Sequence, residues 1–207
     1  TFHPPFYPEM KCFCNVPPYR ESGRENKKKD YMIEKDRVSI QDNFLPEIEF
    51  DNLRDVIMER TPWFYDPIIV FKDEDLSTSP GQLIHVVYSD NTPQSSFYGN
   101  DIFTSIQKQL RIGILLRVKM NLRLRLPNPH KSGYHIDINY LPKDLAVKYT
   151  TSIFYVNTCN GYTEFKDGTK IESIANRLIS FPLTTEHRGV TQTDEQVRIV
   201  INFNYFK

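Results

Sequence analysis

The longest regular pattern in the chain is "LRVKMNLRLRLP", residues 116–127, in which Leu116, Val118, Met120, Leu122, Leu124 and Leu126 alternate with Arg117, Lys119, Asn121, Arg123 and Arg125. A period of two predicts a strand with one apolar face against a core and one polar face turned to a cavity. The C-terminal "RIVINFNYF" repeats the pattern, with Arg198, Val200, Asn202 and Asn204 on one face and Ile199, Ile201 and Phe203 on the other. Between them, short runs predict strands at 134–140, 148–157, 162–165, 169–172, 177–181 and 187–191. So many short strands at close intervals indicate a sandwich or barrel.

Two segments carry a helical period instead. Ile48, Leu53, Val56 and Ile57 predict a helix over 46–60, with Asp42 and Asn43 as turn or cap residues and Pro62 unable to continue it. Ile102, Phe103, Ile106 and Leu110 predict a second over 101–112, capped by Asn100. Residues 1–37, rich in Pro, Lys and Arg, hold no sustained period. They predict an N-terminal arm or irregular cap, packed through Phe2, Phe6, Tyr7 and Phe13, with Lys27 to Lys29 as a solvated face. The remaining 38–207 read as one domain.

Composition narrows the class. A chain of 207 residues suits a single core. Its 26 basic and 26 acidic residues balance, so no global field gathers nucleic acid or an anionic membrane. The 14 Phe and 12 Tyr favour strands over a helical bundle. Cys12, Cys14 and Cys159 form no disulfide framework and read as free thiols in a reducing compartment. No apolar run reaches the roughly 18 to 20 residues of a membrane span, and the N-terminus lacks the order of a signal peptide. The expectation is a cytoplasmic protein without membrane contact, although a chain that starts at Thr1 leaves room for a trimmed precursor.

Candidate chemistry centres on "SGYHIDINY", residues 132–140. On a strand, positions i and i+2 project the same way, so His135 and Asp137 aim at one point while Tyr134 and Ile136 face away. Such a triplet alone is weak, since a surface strand tolerates both residues. A facial metal site needs a third donor, and "TTEHRGV" supplies His187. Arg198 then lies on an inward face, where a guanidinium is costly unless it meets a carboxylate. An organic acid that also chelates the metal satisfies both demands. His3, His85 and His130 read as structural or surface residues, and Asp101, Glu164 and Glu186 carry no signal of a role.

In this order, His135-x-Asp137, His187 and Arg198 resemble the iron(II) and 2-oxoglutarate-dependent oxygenases. Within "IFYVNTCNGYTEF", Tyr155-x-Asn157 and Gly161-x-Thr163-x-Phe165 are similar to the prolyl-hydroxylase-like branch, as are "ANRLISF" and the helix inside "DNFLPEIEFDNLRDVIMERTPWFY". The resemblance spans about 38 to 206. It implies a mainly β protein with flanking helices, a double-stranded β-helix or jelly roll, with His135, Asp137 and His187 holding Fe(II) at its mouth. It further implies that 2-oxoglutarate chelates the iron, with its distal carboxylate on Arg198 and the Tyr155 hydroxyl beside it, while Asn121 and Arg123 line the pocket. Dioxygen would then hydroxylate an unactivated C–H bond as 2-oxoglutarate becomes succinate and carbon dioxide.

The substrate expected first is a prolyl or other residue in a protein or peptide, and next a small molecule such as a free amino acid. Nucleic acid is not expected, because "RIVINFNYF" lacks the second arginine of the repair branch. A reading from another class is a non-catalytic jelly-roll binding protein, which predicts no iron-dependent turnover.

Overall fold

The computed structural model describes residues 30–33, 38–69 and 79–207. Phe2, His3, Phe6, Tyr7, Cys12, Phe13, Cys14 and Lys27 to Lys29, to which the sequence assigned packing, thiol or surface roles, lie outside the described residues. In chain order the strands are β1 (Asp30–Ile33), β2 (Val38–Gln41), β3 (Phe64–Asp66), β4 (Gln82–Ser89), β5 (Thr92–Pro93), β6 (Ile114–Leu124), β7 (Thr150–Tyr155), β8 (Cys159–Phe165), β9 (Lys170–Ser173), β10 (Arg177–Pro182), β11 (His187–Val190) and β12 (Val197–Phe206). The helices are α1 (Glu47–Arg60), α2 (Asp101–Leu110) and the short α3 (Lys143–Ala146).

A nine-stranded antiparallel sheet runs β1, β2, β10, β7, β12, β6, β4, β3, with β5 on β4, and a three-stranded sheet runs β11, β8, β9. Alternation along β12 divides the core between the two faces of the large sheet. Ile199, Ile201 and Phe203 meet Phe50, Leu53 and Ile57 of α1 and Phe103 and Ile106 of α2 on one face. On the other, Val200, Tyr155, Ile153 and Ile179 meet Phe165 and Ile171 of the small sheet. This is the jelly roll, with helices on its outer face. The space between the sheets is free to widen into a cavity where β6 and β12 turn polar residues inward.

Several local expectations are corrected. Residues 134–140 form no strand: Lys131 and His135 make single bridges to Val190 and His187, and the chain then leaves the small sheet. It leaves because the Asp137 carboxylate is drawn toward Asn202 and Asn204 on β12 of the other sheet. Ile136 consequently lines the cavity.

In β6, register with β12 slips between Arg117 and Leu115, a bulge that turns Leu115 into the outer core and leaves Leu116 on the cavity side. Leu124, at the strand's last paired position, is 59 % exposed. Ile48 is also exposed, since it stands about 200° around α1 from Phe50, which begins the buried stripe. Pro46, not Asp42 or Asn43, flanks α1, while Asn43 turns the chain at φ 51. In α2, Phe103, Ile106 and Leu110 are buried as predicted, and Arg111 at φ 56 ends the helix early. The end of the predicted arm, Asp30–Ile33, is a strand on β2, and β2, β3 and β4 were not anticipated.

Candidate metal and acid-binding site

His187 opens β11 opposite Phe165 of β8. Its backbone exchanges hydrogen bonds with His135, 3.0 Å in each direction, which brings the two rings within 4.8 Å of each other. Each imidazole is then oriented in the same way. Nδ1 of His135 donates to the Gly133 carbonyl at 3.2 Å, and Nδ1 of His187 donates to the Thr185 carbonyl at 3.1 Å. A carbonyl only accepts, so both rings carry hydrogen on Nδ1 and turn Nε2 toward Asp137. The two Nε2 atoms lie 3.8 and 4.0 Å from Oδ1 of Asp137.

Asp137 is itself held. Nδ2 of Asn204 donates to it at 3.0 Å and Nδ2 of Asn202 at 3.3 Å, while Nη2 of Arg117 stands 3.4 Å away. Burial pushes its pKa up, but Arg117, then His187 and His135, then the Asn204 hydrogen bond outweigh that and hold the carboxyl well below the usual range. Burial pushes His187 down to about 4 against the pull of Asp137, so it is a neutral ligand at pH 7. The three donors lie within 4.8 Å of one another. Two imidazoles and one carboxylate, converging from one side, are a donor set that suits a non-haem iron(II) site.

In the same cavity, Arg198 is 4 % exposed. Its Nε donates to Ser173 Oγ at 2.6 Å and its Nη2 to Thr163 Oγ1 at 3.2 Å, with the guanidinium 5.6 Å from the Tyr155 ring centroid. Its polar partners among the described residues are hydroxyls. Space for the side chain depends on Gly161, where an added Cβ would stand 2.8 Å from Arg198 Cδ. Tyr155 is fully buried and its hydroxyl donates to Thr163 at 2.8 Å, placing it behind the Thr163 and Arg198 pair.

Asn121 lines the cavity opposite Val200, and Arg123 lines it opposite Arg198, with Nη2 3.4 Å from His130 Nδ1. The cavity measures about 1110 Å³ and also takes in Arg117, Lys119 and Asn202. Sequence reasoning placed Arg117, Asn202 and Asn204 on polar strand faces but gave them no role; their convergence on Asp137 needs the pairing of β6 with β12. His85 is structural, its ring nitrogens 2.8 Å from the Pro62 carbonyl and 2.7 Å from Ser95 Oγ. Cys159 is a buried free thiol.

No protein-family model and no curated protein matches the chain. Solved structures do. A viral collagen prolyl hydroxylase from Paramecium bursaria Chlorella virus-1, as its 2OG complex, is 17 % identical over 82 % of this chain and 96 % of its own, with a TM-score of 0.53. A prolyl hydroxylase from Trichoplax adhaerens, in complex with a hypoxia-inducible-factor degradation-domain peptide, is 16 % identical over 82 % and 83 %, at 0.53. HygX from Streptomyces hygroscopicus, with nickel and 2-oxoglutarate bound, is 10 % identical over 82 % of each, at 0.54. The chain shares their fold.

Proposed function

We propose that the chain is an iron(II)- and 2-oxoglutarate-dependent dioxygenase that hydroxylates an unactivated C–H bond of a prolyl or other residue in a protein or peptide. One observation carries the reading. A buried guanidinium held by two neutral hydroxyls shares its cavity with two imidazoles and a carboxylate that point at a common centre. A buried cation of this kind calls for an anion, and an acid that chelates a metal at its other end answers both features.

His135, Asp137 and His187 would hold the iron, which when bound supplies the redox chemistry that couples loss of carbon dioxide from 2-oxoglutarate to insertion of oxygen into substrate. The chain's own residues prepare the site. The Gly133 and Thr185 carbonyls fix both tautomers, and Arg117, Asn202 and Asn204 keep Asp137 charged and oriented. Ser173 and Thr163 hold Arg198 ready to fork onto a carboxylate. Leu116, Ile136 and Val200 give the cavity apolar walls that exclude water around the reacting group. A volume of about 1110 Å³ leaves room for a substrate beside a bound 2-oxoglutarate. The peptide complex of the Trichoplax adhaerens neighbour supports the choice of a peptide.

The test is incubation with iron(II), 2-oxoglutarate, dioxygen and a library of proline-containing peptides, followed by mass spectrometry and succinate assay. The expected result is succinate together with peptides heavier by one oxygen atom, both absent with Asp137→Ala. A wild-type protein that releases no succinate overturns the oxygenase reading; succinate without any oxidised peptide overturns the peptide assignment.

A further inference from the structure

The two imidazoles sit on opposite sides of one backbone bridge, yet they are held unequally. The His187 side chain is 4 % exposed, packed 4.9 Å from the Phe181 ring and 6.2 Å from Phe165. The His135 side chain is 25 % exposed and belongs to the segment that has no ladder. Two backbone hydrogen bonds to His187 fix its position, but a loop needs further contacts to fix its direction.

Those contacts lie on the residues beside the ligands. The Arg188 guanidinium stands 4.2 Å from the Tyr134 ring centroid, and the Tyr134 hydroxyl donates to the Phe165 carbonyl at 3.4 Å. The neighbour of each histidine thus meets the neighbour of the other. Arg188 is fixed in turn by Glu164, whose Oε2 accepts from Nε at 2.7 Å and lies 2.6 Å from Nη2. The Glu164 side chain is 7 % exposed, with Lys131 Nζ at 3.6 Å and Lys170 Nζ at 3.9 Å. Lys131 stands at the start of the same loop and is bridged to Val190 of β11.

We propose that Glu164 is a positioning residue of the metal centre: gripping Arg188 against Tyr134, it fixes the backbone that aims His135. The inference rests on the reading of His135, Asp137 and His187 as a metal site. Without the carboxylate, three cations crowd one another and Arg188 loses the fork that holds it over the ring. His135 then swings with its loop, while His187 stays boxed by Phe181 and Phe165.

The experiment is an anaerobic titration of the full chain with cobalt(II), read by its visible absorption, so that no turnover is needed. Glu164→Gln and Tyr134→Leu each weaken cobalt binding by about tenfold or more, the scale of a lost outer support. The double variant binds no more weakly than the poorer single one, because both act through one path. Tyr134→Phe keeps the ring under Arg188 and restores the affinity. Ile171→Ala, a core truncation in β9, lowers the melting temperature without this loss, which separates positioning from general stability.

Wild-type affinity in Glu164→Gln, equal losses for Tyr134→Leu and Tyr134→Phe, or a matching loss in Ile171→Ala overturns the inference. Should Glu164→Gln fail to fold, the contrast between the two Tyr134 variants decides it. A wild-type chain that binds no cobalt overturns the metal-site reading itself.

Discussion

Single side chains set the chemistry, and Arg198 is the most exposed to test. Removing it would take away the protein's half of the charge pair proposed with the 2-oxoglutarate carboxylate, a loss of a few kcal/mol. Arg198→Leu should therefore raise the KM for 2-oxoglutarate by about a hundredfold while changing cobalt affinity far less; equal losses would contradict its role. Gly161→Ala should act in the same direction, since the new Cβ meets Arg198 Cδ at 2.8 Å and the Val190 carbonyl at 2.9 Å. Acid has its own signature. His187 is held at about 4, below its ordinary 6.5, so in metal-free protein the unfolded chain binds more protons between those values. Stability is consequently lost as pH falls from about 6.5 to 4, by up to roughly 3 kcal/mol. Asp137, shifted down, adds a loss as pH falls further below 3.8. Urea midpoints measured from pH 7 to pH 3 should decline in that order, and a flat profile would deny the burial of His187.

At the scale of elements, β6 and β12 do the organising. Their alternation was legible because each strand is long and has a core on one side and a cavity on the other, so sequence period and burial coincide. Ile201, buried between the sheet and the helices, should cost about 2–5 kcal/mol when cut to Ala, read as a lower denaturant midpoint. The bulge at Leu115 and Leu116 was not legible, because two adjacent leucines fit either register until β12 pairs with them. The stretch 134–140 misled in the opposite sense. Its pattern suits a strand, but Asn202 and Asn204 hold the Asp137 carboxylate toward β12 of the other sheet. Such a tie between sheets is invisible to a local period.

For the molecule as a whole, ligand binding should be written into stability. Cobalt(II) with 2-oxoglutarate at about a hundredfold over its dissociation constant adds about 2.7 kcal/mol to the folded state. The melting temperature should rise accordingly, and Asp137→Ala should erase the rise; an unchanged melt of the wild type would count against the site. The sequence by itself determined a strand-rich sandwich or barrel and both long helices, because periodicity records which face is buried, while the jelly roll and the site of His135, Asp137, His187 and Arg198 came from the resemblance those residues carry. Only the tertiary structure decided what supports them: the Nδ1 contacts to Gly133 and Thr185, the gathering of Arg117, Asn202 and Asn204 on Asp137, and the Glu164, Arg188 and Tyr134 stack. The last two of these join residues far apart in the chain, and such neighbours exist only once the sheets have paired and closed.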